Sequence, residues 1–235
     1  MTVMRLPVFL LLAGVLSLAG CTRYQQTPLY QLDGGNLGVP TGTQGVAVLL
    51  GPISIADYLQ REALLQRQLD GSLTSAEGAR WAGNLASEID QQLLRQLAAR
   101  LNSQNLVLAP AAPGFAPQVR VALAITRLDS GPERPAVLEA QWRLSAADGT
   151  LLDGRLVRLE EAHRGAIVDQ VRAQSLVVQQ LVEQLAQAVE EYGNPPPVAV
   201  KPAPKPAPAK PAPRPAVPRI PVAEPNRDEA EVFRF

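Results

Sequence analysis

Apolar residues recur along this chain in two rhythms, and the order of those rhythms lays out a fold. From Val119 the period is two: Val119, Val121, Leu123 and Ile125 take one face, and Arg120, Ala122, Ala124 and Thr126 the other, which predicts a strand with one face buried. Leu138, Ala140, Trp142 and Leu144 repeat the alternation against Glu139, Gln141 and Arg143. Asp148-Gly149 then predicts a hairpin turn, with a return strand over Leu151 to Glu160. Earlier, Leu29-Tyr30-Gln31-Leu32 reads as a first strand closed by Asp33-Gly34-Gly35. Val46 to Leu50 reads as a buried strand broken by Gly51-Pro52, and Ile53-Ser54-Ile55 as an extended segment. Asp57 to Arg61 begins a polar, irregular or partly helical stretch, and Leu106-Val107-Leu108 is a short strand stopped by Pro110 and Pro113.

The second rhythm is helical. Trp81, Leu85, Ile89, Leu93, Leu97 and Leu101 fall at i+4 spacing, with Leu94 and Ala98 widening the stripe, so the pattern predicts an amphipathic helix over Arg80 to Leu101. Ser75 or Thr74 is the expected cap of a turn ahead of it, and Asn102 its end. A second helix is expected from Val168 to Tyr192, where Val171, Val178, Leu185 and Tyr192 recur every seven residues and Leu181, Val182, Ala188 and Val189 fill between. The heptads are compatible with a coiled coil, but a helix laid on a sheet gives the same stripe and is the favoured reading. Strands, helix, strands, helix define an α+β fold, an α/β sandwich of two long helices over one mostly antiparallel sheet.

Both ends break these rhythms. A short apolar run from about Leu6 to Leu16 is too short to span a membrane, and it leads into Leu18-Ala19-Gly20-Cys21. Leucine at −3 and small residues at −2 and −1 before a cysteine read as a lipoprotein cleavage motif, with Cys21 carrying the diacylglycerol. Cys21 is the chain's single cysteine, so no disulfide framework is expected. Thr22 rather than aspartate follows it, so nothing marks the product for retention at the inner membrane; an outer-membrane anchor facing the periplasm is expected. At the other end, thirteen of the 22 prolines lie between Pro195 and Pro225, interleaved with Lys201, Lys205, Lys210, Arg214 and Arg219. Proline-rich sequence cannot join a sheet or helix and samples polyproline II, where about 30 residues reach on the order of 90 Å. The last residues place Val232, Phe233 and Phe235 together as a possible docking hook. The expected organisation is a signal peptide over 1–20, a lipidated leader over 21–28, one domain over 29–194, and a disordered proline-rich tail with a terminal aromatic segment over 195–235.

Composition narrows the chemistry. Basic and acidic residues balance, 22 against 22, and aromatics are 4%, which argues against nucleic acid and against stacking platforms. Every lysine lies in the tail, so the domain lacks a phosphate-loop, Schiff-base or Ser–Lys lysine. His163 is the sole histidine and sits in the polar run Glu160-Glu161-Ala162-His163-Arg164, expected to be a solvent-exposed loop. No catalytic constellation, metal site or cofactor site emerges, and the expectation is a protein that is not an enzyme and carries no cofactor beyond the acyl groups on Cys21.

One resemblance is carried by order and spacing. Gly51-Pro52, then Tyr58-Leu59 with Arg61, then Arg80-Trp81-Ala82 with Leu85, behind a lipobox and an early Tyr-x-Leu strand, resembles the ABC-type transport auxiliary lipoproteins of the PqiC/YmbA-like family. The chain departs from that pattern at Ala56, where the family often has proline, and the tail lies outside it. The resemblance implies a non-catalytic outer-membrane lipoprotein of an MCE-type system that moves phospholipid between membranes. Its partners would be a periplasmic MCE-domain protein, phospholipid and further copies of itself. It would place Tyr58, Leu59, Arg61 and Trp81 in a shared structural or interface feature. The competing expectation is a cell-envelope tether, its tail bound to peptidoglycan or to an inner-membrane partner.

Overall fold

A computed structural model describes residues 26–42 and 45–193. Cys21 with its cleavage motif, and Val232, Phe233 and Phe235, lie outside the described residues. The strands are β1 (Leu29–Tyr30), β2 (Val48–Ile55), β3 (Ala63–Arg67), β4 (Leu73–Trp81), β5 (Leu106–Leu108), β6 (Val119–Gly131), β7 (Arg134–Ala146) and β8 (Leu151–Glu161). The helices are α1 (Leu85–Arg100) and α2 (Ile167–Gly193), with a single 3-10 turn at Asp57–Leu59.

The eight strands form one mixed sheet with β6 at its centre. β7 pairs antiparallel along β6, and β8 antiparallel along β7, in register from Ser145↔Leu151 to Ala136↔Glu161. On its other side β6 holds β2 in parallel along its first half and touches β3 at Ser130. β5 adds in parallel outside β2, and β1 in parallel outside β4. The long pairings are antiparallel, as the alternation predicted; the parallel ones involve short strands whose partners are distant in sequence.

Both helices cover one face of this sheet. The period-two residues Val119, Val121, Leu123 and Ile125, and Leu138, Ala140, Trp142 and Leu144, are all buried beneath them. Val171, Val178, Leu181, Val182, Leu185, Ala188 and Val189 of α2 join the same core, which identifies the heptad stripe as sheet packing. Each fully buried aliphatic side chain of this kind stabilises the fold by about 1.5–3 kcal/mol.

Three expectations change. Gly51-Pro52 does not break a strand: β2 runs through it, with the register against β6 shifting between Leu50 and Ile53. Gly51 sits at φ +123, and a Cβ there would meet Ala109 Cβ at 3.0 Å, so this bulge requires glycine. Arg80 and Trp81 do not start a helix but end β4, opposite Leu29 and Tyr30 of β1. Trp81 keeps the i+4 stripe going because it enters the same core from the strand. Thr74 and Ser75 accordingly lie within β4 and cap nothing; the cap of α1 is Asn84, whose side chain accepts the Ser87 N–H at 3.0 Å. Asn84→Ala is expected to cost about 1 kcal/mol, read as a lower urea midpoint for the full-length protein.

Candidate functional site

Tyr58 leads to the first unusual feature. The 3-10 turn holds its ring half-buried against the core, and its hydroxyl donates to Asp129 Oδ2 at 3.1 Å while accepting the Leu128 N–H at 3.1 Å. Burial, opposed in part by the Leu128 bond, pushes the Tyr58 hydroxyl up to about 12, so it remains a donor at neutral pH. Asp129 is 1% exposed on β6. Arg67 of β3 grips it with two bonds, at 2.9 and 2.7 Å, and Arg127 approaches the same carboxylate at 2.9 Å. Burial alone would raise the Asp129 carboxyl, but the two guanidiniums hold it below its ordinary value of 3.8.

The charges continue across the sheet. Arg127 faces Glu139 of β7 at 3.6 Å, Glu139 pairs with Arg158 of β8, and Arg158 pairs with Glu160. Arg67, Asp129, Arg127, Glu139, Arg158 and Glu160 therefore alternate in sign over four strands, from a buried end to an exposed one. Glu139 alternates with the core residues Leu138 and Ala140, which puts this ladder on the face the helices leave open.

The second feature lies on the helical side, where the backbone from Leu32 to Gly35 crosses both helices as a strap. Leu32 N donates to Glu88, and Gln92 Nε2 donates to Leu32 O at 2.8 Å, both from α1. From α2, Ser175 Oγ accepts the Asp33 N–H at 2.9 Å and Gln179 Nε2 donates to Asp33 O at 2.8 Å. A Cβ on Gly34 would meet Gln92 Oε1, so a side chain there would push aside the Gln92 amide that bonds Leu32 O. The strap continues as one wall of a groove of about 440 Å³ against α1.

The residues singled out by motif divide by exposure. Leu59, Trp81 and Leu85 are buried in the core, with Tyr58 packed against it. Pro52, Arg61 and Arg80 are exposed, and Arg61 and Arg80 have no ion-pair partner among the described residues. Arg80 lies opposite Ala63, two residues after Arg61, so both belong to the same end of the β3–β4 pair. Sequence reasoning missed Asp129, Arg67 and Arg127. Asp129 lies three residues beyond the alternation that ends at Thr126, and Ala63-Leu64-Leu65-Gln66-Arg67 of β3 carries no alternation. His163 is half-buried rather than exposed, its Nδ1 accepting the Gly165 N–H at 3.0 Å. Among the described residues no three His, Cys, Asp or Glu side chains are grouped to hold a metal ion.

A mixed sheet covered on one face by two helices defines the class, an α+β domain, and no helix among the described residues is long and apolar enough to cross a membrane. The particular family is shown by its sequence model, ABC-type transport auxiliary lipoprotein component, which matches residues 30–186; the chain belongs to this family. It is thus a lipid-anchored auxiliary component of a transport system. No curated protein matches the chain. Among solved structures, a protein described as uncharacterized is 18% identical with a TM-score of 0.57, covering 70% of this chain and 99% of its own. A Xanthomonas campestris protein of the DUF330 family is 14% identical with a TM-score of 0.54, covering 68% and 92%. These two share the fold. A PelC dodecamer from Paraburkholderia phytofirmans is more distant, at 13% identity and a TM-score of 0.38 over 64% of this chain and 93% of that one.

Proposed function

We propose that this chain is the outer-membrane lipoprotein of an MCE-type system that carries phospholipid between the two membranes, a non-catalytic component that docks the periplasmic MCE-domain protein and forms a collar with further copies of itself. The family match over residues 30–186 carries this reading. The Leu18-Ala19-Gly20-Cys21 motif supports it by supplying a site for the diacylglycerol anchor, with no cofactor needed besides those acyl groups. The exposure of Pro52, Arg61 and Arg80 supports it further: these are the motif residues that packing does not use, and two of them are unpaired cations available to an acidic partner surface.

Affinity purification of the full-length lipoprotein from its native host after mild crosslinking tests the proposal. Recovery of an MCE-domain protein with phospholipid is the expected result, reduced about tenfold by the double variant Arg61→Glu, Arg80→Glu. Recovery of peptidoglycan or inner-membrane envelope proteins alone would replace it with the tether reading, in which the proline-rich tail makes the contact.

A further inference from the structure

β8 pairs with β7 alone, so among the described residues one long side of its 11 residues carries no strand. The strands that end the sheet elsewhere, β1 and β5, are only 2 and 3 residues long. Gly154 N donates to Asp153 Oδ1 at 2.7 Å, so it faces away from β7. Antiparallel bonds alternate, so the backbone groups of Leu156, Arg158 and Glu160 point outward with those of Gly154. That row of donors and acceptors fits a further strand. Leu156 stands in it on the helix-free face, opposite Gln141, and is 82% exposed. Edge strands commonly resist pairing through lysine, proline or uncompensated charge. β8 contains neither lysine nor proline, and its charges are already met. Arg155 pairs with Asp153 at 2.9 Å, Arg158 pairs with Glu160 and Glu139, and Glu161 accepts from Gln180 at 3.1 Å.

We infer that β8 pairs antiparallel with β8 of a second copy of this chain, about a two-fold axis at Leu156. In that register the stretch from Asp153 to Leu159, regular beyond the bulge at Leu152, pairs throughout. Leu156 meets its own copy, Arg155 meets Val157, Gly154 meets Arg158, and Asp153 meets Leu159. No like charges stand directly opposite. Moving the axis by one residue loses this. Centred on Val157 the pairing sets Asp153 against Glu161, and centred on Arg155 it sets the two copies of that arginine together. The strand thus selects one register on itself, which favours a second copy over a foreign peptide as its occupant. A two-fold contact closes at a pair of copies and leaves the helices and β5 to other contacts. Two paired edges alone bury less than the roughly 1,600 Å² of a standard interface, and shared anchoring on one bilayer supplies the effective concentration. The inference rests on the collar reading only for the presence of further copies within reach.

Cysteine crosslinking tests this on the full-length lipoprotein in membranes of its native host, with copper–phenanthroline as oxidant and peptide mass spectrometry to place the bond. In the pair the two Leu156 Cα atoms lie about 5.5 Å apart, within disulfide reach, and the two Arg158 Cα atoms about 14 Å apart. Leu156→Cys should therefore give a disulfide-linked dimer, and Gly154→Cys or Arg158→Cys alone roughly fivefold less. Coexpressing the Gly154→Cys and Arg158→Cys chains should restore a link between those two positions. Adding Leu156→Lys to both, at an exposed site that folding does not use, should lower that link roughly fivefold because two lysines then face each other. The parent chain, with Cys21 alone, controls for bonds that do not involve β8. No link at Leu156, equal links at Gly154, Leu156 and Arg158, or a bond to a different protein would each overturn the pairing. A missing link with the MCE-domain protein still co-purifying would remove the β8 contact alone; a link without that partner would remove the docking proposal alone.

Discussion

Asp129→Ala is expected to destabilise the domain by about 3 kcal/mol, the largest loss of any single charged residue in the fold. Removing one member of a buried ion pair typically costs about 3–5 kcal/mol, because the partner is left charged without compensation. The lower end applies because Arg67 and Arg127 side chains are each 22% exposed and recover some hydration. The variant also strips Tyr58 of its acceptor, although the Leu128 N–H still bonds the hydroxyl. Arg67→Met or Arg127→Met should each cost less than Asp129→Ala, since the remaining guanidinium still neutralises the carboxylate. Urea unfolding of the full-length protein measures all three. Equal losses for the three variants would show that the site is not centred on Asp129.

The same residue sets an acid dependence. The folded-state pKa of Asp129 is lowered below its ordinary 3.8, so its contribution is fully present above that value and lost as pH falls through the folded-state pKa. Stability of the parent should therefore drop more steeply below pH 3.8 than that of Asp129→Ala. Parallel curves would contradict the assignment.

Trp142→Ala is expected to cost about 3–5 kcal/mol, as large aromatic truncations in packed cores do. Trp142 is fully buried at the middle of β7, between Leu123 of β6 and Arg155 of β8. The Arg155 guanidinium lies 5.5 Å from its ring centroid and closes the edge of the core there. Its indole N–H is buried without a partner. Trp142→Phe should consequently be much milder than Trp142→Ala: some volume is lost, but so is an unpaired donor worth about 1–3 kcal/mol. Thermal unfolding of the two variants side by side decides this, and a Phe variant as unstable as the Ala variant would show that the indole N–H is satisfied after all.

These two residues mark how far the sequence could be read. Trp142 sits in a strand whose alternation is uninterrupted from Leu138 to Leu144, and its burial followed from that pattern alone. Asp129 sits where the pattern fails. β6 shifts register against β7 after Ile125 and continues to Gly131, so its last residues no longer follow the alternation that named its first. β3 and β4 were invisible for a related reason. Their pairing jumps from Ala63↔Arg80 to Leu65↔Ser75, with Gly78 at φ +64 inside the bulge, and only Ala76, Ala79 and Trp81 of β4 turn to the core. Bulges reset the face to which a side chain points, and no fixed period survives them.

The groove shows the same division. Gln92 and Gln96 lie among other polar residues of an amphipathic helix and carry no sequence signal, because their meaning depends on Gly34 crossing above them. The strap was read as the end of a first strand, Leu32, and its closing turn, Asp33-Gly34-Gly35, whereas β1 ends at Tyr30; that both helices clamp this backbone required the two helices to be side by side. Sequence by itself determined the α+β class, the two helices, the central hairpins, the family and the candidate anchor at Cys21, since periodicity and short motifs are local properties of a chain. Tertiary structure alone decided which motif residues are core and which are exposed, the charge ladder through Asp129, and the strap that both helices clamp. Those depend on residues dozens of positions apart meeting at distances of about 3 Å, and neither burial nor hydrogen-bond satisfaction is a property of a local segment.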